Sequence, residues 1–302
     1  MISLSTSWSP RRRSSLAKTF AAGQKIGFRS FELGVSPAPF DLKAVLGAIE
    51  RDGITISSIH AVCSEREVPP ANRRGDFIAE PDEARRRDGV ALVKETIDIA
   101  RRVNAPAVVL HCGALPLLDA RIVQRALCRL AANMTGPLHD PPELRPLVEL
   151  RRRVVPSYLD ALEASLKELS EYAPDLLLGL ENRYYIGELP YGDEFQRMFD
   201  RVAAPNLRYW HDVGHAYVLD RIGFIDHLGL LERYAGRLAG VHLHDIRGCE
   251  DHRPPGTGDF DFSLLARYLR PDVIRVMEIA AEHSAKAVRR GREYLAQMWQ
   301  AV

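Results

Sequence analysis

The sequence predicts an α/β fold, specifically a (β/α)8 barrel of the TIM type, and three observations carry that prediction. Eight short β-rich runs alternate with segments of helical periodicity. Most of the runs are continuous apolar stretches rather than alternating ones, which fits a parallel sheet covered on both faces. The 302 residues, 46% of them hydrophobic, are enough to hold eight such units as a single domain over 1–302.

The eight runs are ISLSTS at the start, FRSFELG around Phe31, TISSIHAV around Ile59 and AVVLHCG around Val109. LLLGLEN around Leu178, LRYWHDVGH around Tyr209, LAGVHLHD around Val241 and IRVMEIA around Met277 complete them. Between them, DLKAVLGAIERDG opens on Asp41 as an N-cap and closes on Gly53 as a helix stop. PDEARRRDGVALVKETIDIARRVN, FIDHLGLLERYAGR and the final SAKAVRRGREYLAQMWQAV have the same amphipathic pattern. A doubly wound open sheet is the alternative. It calls for a Gly-rich phosphate loop after the first strand, where this chain has STSWSP.

The rhythm breaks between the fourth and fifth strands. Ala114 to Tyr172 contains two helical patterns separated by MTGPLHDPPELRP, an excursion over or beside the barrel mouth. CSEREVPPANRRGDFIAEPDEA, after the third strand, is the other long polar connection. Both are expected on the face where barrel active sites form, so both are lid candidates, and the excursion doubles as a candidate dimer arm in a homo-oligomer.

A formal charge of +1, from 41 basic and 40 acidic residues, creates no overall field for nucleic acid or an anionic membrane. The arginine runs at 11–13, 85–87 and 151–153 read as solvated helix faces. Four cysteines, Cys63, Cys112, Cys128 and Cys249, lack CxxC spacing, and the N-terminus lacks the apolar core of a secretion signal. The expectation is a cytoplasmic, reduced protein whose cysteines are packing residues.

Chemistry in such a barrel sits at the C-terminal strand ends. From the third strand on, these deliver His60, His111, Glu181 with Asn182, then Asp212 with His215. The seventh and eighth deliver His242, followed by His244 and Asp245, and Glu278. Singly, each has a structural reading: Asp212 as a helix cap, Glu181 as an arginine partner, a histidine as a satisfied packing group. Jointly, that many buried carboxylates at one end cost several kcal/mol each unless a cation compensates. Mixed histidine and carboxylate ligands suit zinc or manganese, and carboxylate-rich subsets also admit magnesium or cobalt. Trp8 and Trp210 suit either stacking on a ligand ring or packing.

GLEN at 179–182, HDVGHA at 211–216, VHLHD at 241–245, DHRPPGTG at 251–258 and MEI at 277–279 resemble the xylose isomerase-like TIM barrels. This superfamily includes sugar epimerases and the endonuclease IV type of abasic-site endonuclease, and the resemblance covers nearly the whole chain. In its epimerase branch it implies one divalent metal held by Glu181, Asp212, His242 and Glu278, with Glu181 and Glu278 also moving the proton. His215 then touches substrate or supports the ligands, and Arg247 holds an oxygen or phosphate of the substrate. In its endonuclease branch it implies up to three zinc ions, drawing in His60, His111, His215, Glu250 and His252. The Gly256-Thr257-Gly258 turn is either a phosphate seat or a structural turn. The resulting expectation is a metal-dependent isomerase or epimerase of a sugar or sugar phosphate. A zinc phosphodiesterase at abasic sites in DNA is the alternative, and a binding barrel without turnover is the third reading.

Overall fold

The computed structural model describes residues 1–11, 14–35, 39–68 and 77–300. Its strands are β1 (Ile2–Ser5), β2 (Ser30–Leu33), β3 (Thr55–His60), β4 (Ala107–Leu110), β5 (Gly113–Ala114) and β6 (Leu177–Glu181). β7 (Glu188–Leu189), β8 (Leu207–Asp212), β9 (Leu238–Leu243), β10 (Asp245–Arg247), β11 (Glu250–Arg253) and β12 (Ile274–Met277) follow. The helices are α1 (Leu16–Lys25), α2 (Leu42–Asp52), α3 (Glu83–Arg102), α4 (Ala120–Ala131) and α5 (Leu144–Tyr172). α6 (Asp193–Val202), α7 (Val213–Arg221), α8 (His227–Tyr234) and α9 (Ala285–Gln300) complete the set.

Eight strands close into a parallel barrel in the order β1-β12-β9-β8-β6-β4-β3-β2, and each lies within one of the eight runs legible in the sequence. The helix punctuation holds as well. Asp41 accepts from the Ala44 N–H at 3.0 Å and Gly53 stops α2 at φ 62°, a conformation that needs no Cβ. Asp82 and Asp226 cap α3 and α8 in the same way. The seventh unit departs from the pattern: FDFSLLARYL forms a 3-10 helix, Phe262–Tyr268, in place of an α-helix.

Inside the barrel, Trp210 packs with Ala107, Val109 and Val276. Its indole fits because its neighbours on β6 and β9 are Gly179 and Gly240. A Cβ on Gly240 would lie 2.3 Å from the ring, and one on Gly179 2.9 Å. Trp210 is thus a packing residue. Trp8 is buried as well, donating from its indole nitrogen to the His283 carbonyl at 2.9 Å.

The stretch from Ala114 to Tyr172 divides in two. α5 is the fourth unit's outer helix, packed between α3 and α6 with Leu162, Leu166 and Leu169 buried. Residues 115–143, with α4, form a strap beside the mouth. β5 pairs with β7, Gln124 donates to the Tyr184 carbonyl, and Leu138 N–H donates to Arg221 O.

Two sequence expectations change here. Arg86 and Arg151 are not solvated: Arg86 pairs with Glu83, while Arg151 is buried, pairing with Glu194 and donating to the carbonyls of Ile186 and Glu188. Of the first arginine run, residues 12–13 lie outside the described residues, as do 69–76 of the lid candidate after β3. The cysteines are not all packing thiols either. Cys128 on α4 and Cys249 between β10 and β11 form a disulfide with Cα atoms 5.9 Å apart, whereas Cys63 and Cys112 are buried thiols. Among the described residues no helix is long and apolar enough to cross a membrane.

Candidate metal centre and substrate cavity

Strand alternation assembles the site. Side chains two residues apart share a face, so the residue two positions beyond each interior-facing residue belongs to the next layer of the barrel interior. Glu181 follows Gly179 in this way, Asp212 follows Trp210, His242 follows Gly240 and Glu278 follows Val276. His111 follows Val109 on the same rule, and Glu32 follows Ser30.

His242 lies at the centre of this layer. Its Nδ1 is 2.7 Å from Glu181 Oε1, 3.1 Å from Glu278 Oε2 and 3.6 Å from Asp212 Oδ2. Its Nε2 faces both oxygens of Glu32, at 3.1 and 3.2 Å. Glu181, Asp212, His242 and Glu32 are wholly buried, and Glu278 nearly so. Although burial opposes charge on the ring, Glu32 and Glu278 hold the His242 pKa well above its usual value. Glu181 and Asp212 are held well below the carboxylate range despite their burial, Glu181 by Arg183, His111 and His242, Asp212 by its histidine neighbours. Such a concentration of ionised oxygens around one imidazole nitrogen is a donor set that a divalent cation fits.

Supporting contacts fix each donor. Asp212 is both a cap and a candidate ligand: Oδ1 accepts the His215 N–H at 2.7 Å, opening α7, while Oδ2 faces His242. His244 Nδ1 accepts the His252 N–H, so its Nε2 carries the proton and donates to Asp212 at 2.9–3.0 Å. That leaves His244 a positioning residue, although it lies within ligand distance of His215 and His252. Asn182 ties β6 to β8, accepting from the Asp212 N–H and donating to the Asp212 carbonyl.

Two outer groups flank the centre. On one side, Glu181 Oε2 meets His111 Nε2 at 3.2 Å, His60 Nε2 at 3.6 Å and the Arg183 guanidinium. On the other, His215 Nδ1 lies 3.1 Å from the Asn182 carbonyl, so its Nε2 faces Asp251 Oδ2 at 3.7 Å. Asp251 also meets His252 Nδ1 at 3.1 Å; burial opposes both charges, yet the pair's mutual attraction leaves Asp251 at about 2 and His252 at about 10. Both groups open into a cavity of about 440 Å3, with Tyr184 and Tyr185 on its wall.

The structure thus brings together Glu181, Glu278, Asp212, His242, His60, His111, His215 and His252, but not Arg247 or Glu250. Arg247 is exposed and donates to the Thr257 carbonyl, and Glu250 pairs with Arg253 on the outer side of the β10–β11 hairpin. The arginine in the cavity is Arg183, and the acid beside His252 is Asp251. Consecutive side chains normally diverge, but His252 adopts φ 54°, which breaks the alternation and lets Asp251 and His252 face the same cavity. The Gly256-Thr257-Gly258 turn is structural. Asp245 Oδ2 already accepts the N–H groups of Thr257 and Gly258, leaving them no phosphate to bind. Glu32 stands outside the strand-end candidates, which begin with the third strand. The Ser30–Glu32 alternation on the second strand carried the signal.

A sequence profile described as the xylose isomerase-like TIM barrel matches residues 20–298. No curated protein sequence matches. Among solved structures, 3-keto-D-glucoside 4-epimerase from E. coli superposes with a TM-score of 0.67 at 18% identity, covering 98% of each chain. An L-ribulose 3-epimerase gives 0.69 at 17%, covering 99% of this chain and 94% of its own. An AP endonuclease of family 2 from Brucella melitensis gives 0.63 at 15%, covering 98% of each. At such identities the superpositions speak for the fold. The profile spans nearly the whole chain, and the protein belongs to the xylose isomerase-like TIM barrel family.

Proposed function

We propose that the protein is a divalent-metal-dependent isomerase or epimerase of a sugar or sugar phosphate. The observation that carries this reading is the convergence of Glu181, Asp212 and Glu278 on His242 Nδ1, beside a cavity that both Glu181 and Glu278 line. Glu181, Asp212, His242 and Glu278 would hold one divalent ion (manganese, zinc, cobalt or magnesium), which when bound would supply Lewis acidity to a carbonyl substrate. Glu181 and Glu278 then share the proton work: one carboxylate takes the proton from the carbon beside the carbonyl and the other returns one. Arg183, His60 and His111 hold Glu181 ionised and oriented. His215, Asp251 and His252 offer hydrogen bonds to substrate hydroxyls, and Tyr184 and Tyr185 form an apolar wall. The sugar epimerases among the structural neighbours support this reading.

The second reading, a zinc phosphodiesterase acting at abasic sites, draws on the two outer donor groups, which could hold further ions. Two features weigh against it. Arg183 already places a positive charge on Glu181 Oε2, and Glu250 faces away from the centre. Incubation with a panel of ketoses in deuterated water, alongside abasic-site DNA, separates the readings. Deuterium uptake next to the carbonyl, lost in Glu181→Gln and Glu278→Gln, supports the epimerase. Three zinc ions per chain together with DNA cleavage would replace it. Neither exchange nor cleavage would leave a binding barrel.

A further inference from the structure

A second cavity lies at the opposite end of the barrel, where the strands begin. It has a volume of about 550 Å3 and lies between Ile2 at the start of β1, Arg29 just before β2, Arg275 near the start of β12, and one face of α9. On α9, Arg292, Ala296 and Trp299 follow the spacing of a single helix face.

Three guanidiniums therefore border one concave surface, and no carboxylate is among the described residues that line it. Nor does Arg29, Arg275 or Arg292 form an ion pair with any described acidic residue. Backbone carbonyls hold two of them instead. Arg275 donates to Leu269 O at 2.6 Å and Arg270 O at 3.1 Å, and Arg292 to Gly27 O at 3.1 Å. Gly27, at φ 94°, makes room for this: a Cβ there would lie 2.6 Å from Arg292 Nη2. Arg275 lies over the Trp299 ring at 5.8 Å, and Arg292 over Phe28 at 5.6 Å. The Nε–H groups of Arg275 and Arg292 and the indole N–H of Trp299 are all buried without an acceptor among the described residues. Buried donors left unpaired are costly, and here three adjoin the same cavity. Burial also lowers the Arg275 pKa, and no described acidic group counters it.

Donors of this kind suit a polyvalent oxyanion. A phosphate offers several acceptor oxygens and about two charges, and guanidiniums match its geometry in a way that a monocarboxylate satisfies only in part. The rest of the lining, Met1, Ile2, Ala296 and the Trp299 ring, is apolar, and the volume lies within the range of small-molecule sites. We propose that this face binds a phosphate monoester, with the phosphate among Arg29, Arg275 and Arg292 and the organic group against Trp299. The site is separate from the donor layer at the other end of the barrel and does not depend on the reaction there.

The test titrates the full-length protein with phenyl phosphate and with inorganic phosphate at constant ionic strength. Calorimetry is read alongside tryptophan emission. Trp8 and Trp210 are wholly buried, so an emission change would report on Trp299. Saturable binding is expected, tighter for phenyl phosphate than for inorganic phosphate. Arg292→Gln should weaken it tenfold or more. Arg29→Gln should weaken it severalfold, and its exposed side chain makes folding a minor concern. Trp299→Phe should remove the emission change while leaving measurable heat. Absence of saturation with either probe would overturn the site. So would equal affinity in wild type and both arginine variants, which would place the anion elsewhere on the protein.

Discussion

His242 Nε2 lies 3.1 and 3.2 Å from the two carboxylate oxygens of Glu32, while Ser58 donates to Glu32 Oε2 at 2.7 Å. This contact joins the second strand to the seventh across the barrel and determines which imidazole nitrogen is left for a metal. With Nε2–H donating to Glu32, Nδ1 is the nitrogen left beside Glu181, Asp212 and Glu278 for a metal to take in place of a proton. Glu32→Gln keeps the shape but removes the charge that raises ring basicity. Metal affinity should fall by about 10–100-fold, the usual scale for such outer partners. Competition against a chromophoric chelator measures it, with far-ultraviolet circular dichroism as the folding control. Unchanged affinity would mean that Glu32 only fills space.

The boundary between what the sequence shows and what it conceals follows from the same geometry. The eight barrel strands are legible because burial on both faces makes them continuous apolar runs. The inner donors are legible because strand parity places every second residue in one layer. Parity fails in the β10–β11 hairpin, where the left-handed His252 brings Asp251 inward and leaves Glu250 outside. No local pattern announces that turn. The pairing of Arg183 with Glu181 is not legible for a related reason: Arg183 lies beyond the end of β6, where alternation no longer specifies direction. The strap that carries α4 to the hairpin is a long-range contact, and so is the cysteine pair it creates.

That pair makes a simple prediction. Cys128 and Cys249 are 121 residues apart, and their bond ties α4 to the hairpin that positions Asp251 and His252. Thiol titration of the unfolded, unreduced chain should find Cys63 and Cys112 only, and all four cysteines after reduction. Losing the bridge in Cys249→Ser should cost roughly 2–4 kcal/mol of stability, read from denaturant midpoints under oxidising conditions. Four reactive thiols before reduction would show that the bridge does not form in solution.

His227 provides a pH signature away from the donor layer. It stacks on His211 with Nε2 atoms 3.0 Å apart, and burial pushes its pKa down to about 4. The unfolded chain, with a histidine pKa near about 6.5, binds a proton that the folded chain refuses. Between these values stability therefore rises with pH. It is unaffected by this residue above the unfolded value and falls as the pH drops from about 6.5 toward 4, by on the order of 3 kcal/mol in all. Urea unfolding of wild type and His227→Gln at pH 7 and pH 5 tests this. The variant should lose less stability on acidification than the wild type, and equal losses would refute the assignment.

The last prediction concerns the barrel floor that supports the donors. Gly240 lies beside Trp210, and an alanine Cβ would stand 2.3–2.6 Å from three of its ring atoms. The indole is wholly buried among Ala107, Val109 and Val276, so it has no free direction in which to retreat. Overpacking of this kind usually costs about 1–3 kcal/mol. Here the strain also reaches function, because His242 is two residues along the same strand and its ring lies 5.3 Å from the indole. Gly240→Ala should therefore lower both the thermal midpoint and metal affinity. A surface alanine substitution of similar size, such as Gly236→Ala, where a Cβ meets open space, should affect metal affinity little. If Gly240→Ala destabilised the fold but left metal affinity intact, the donor layer would be shown to be insulated from the layer beneath it.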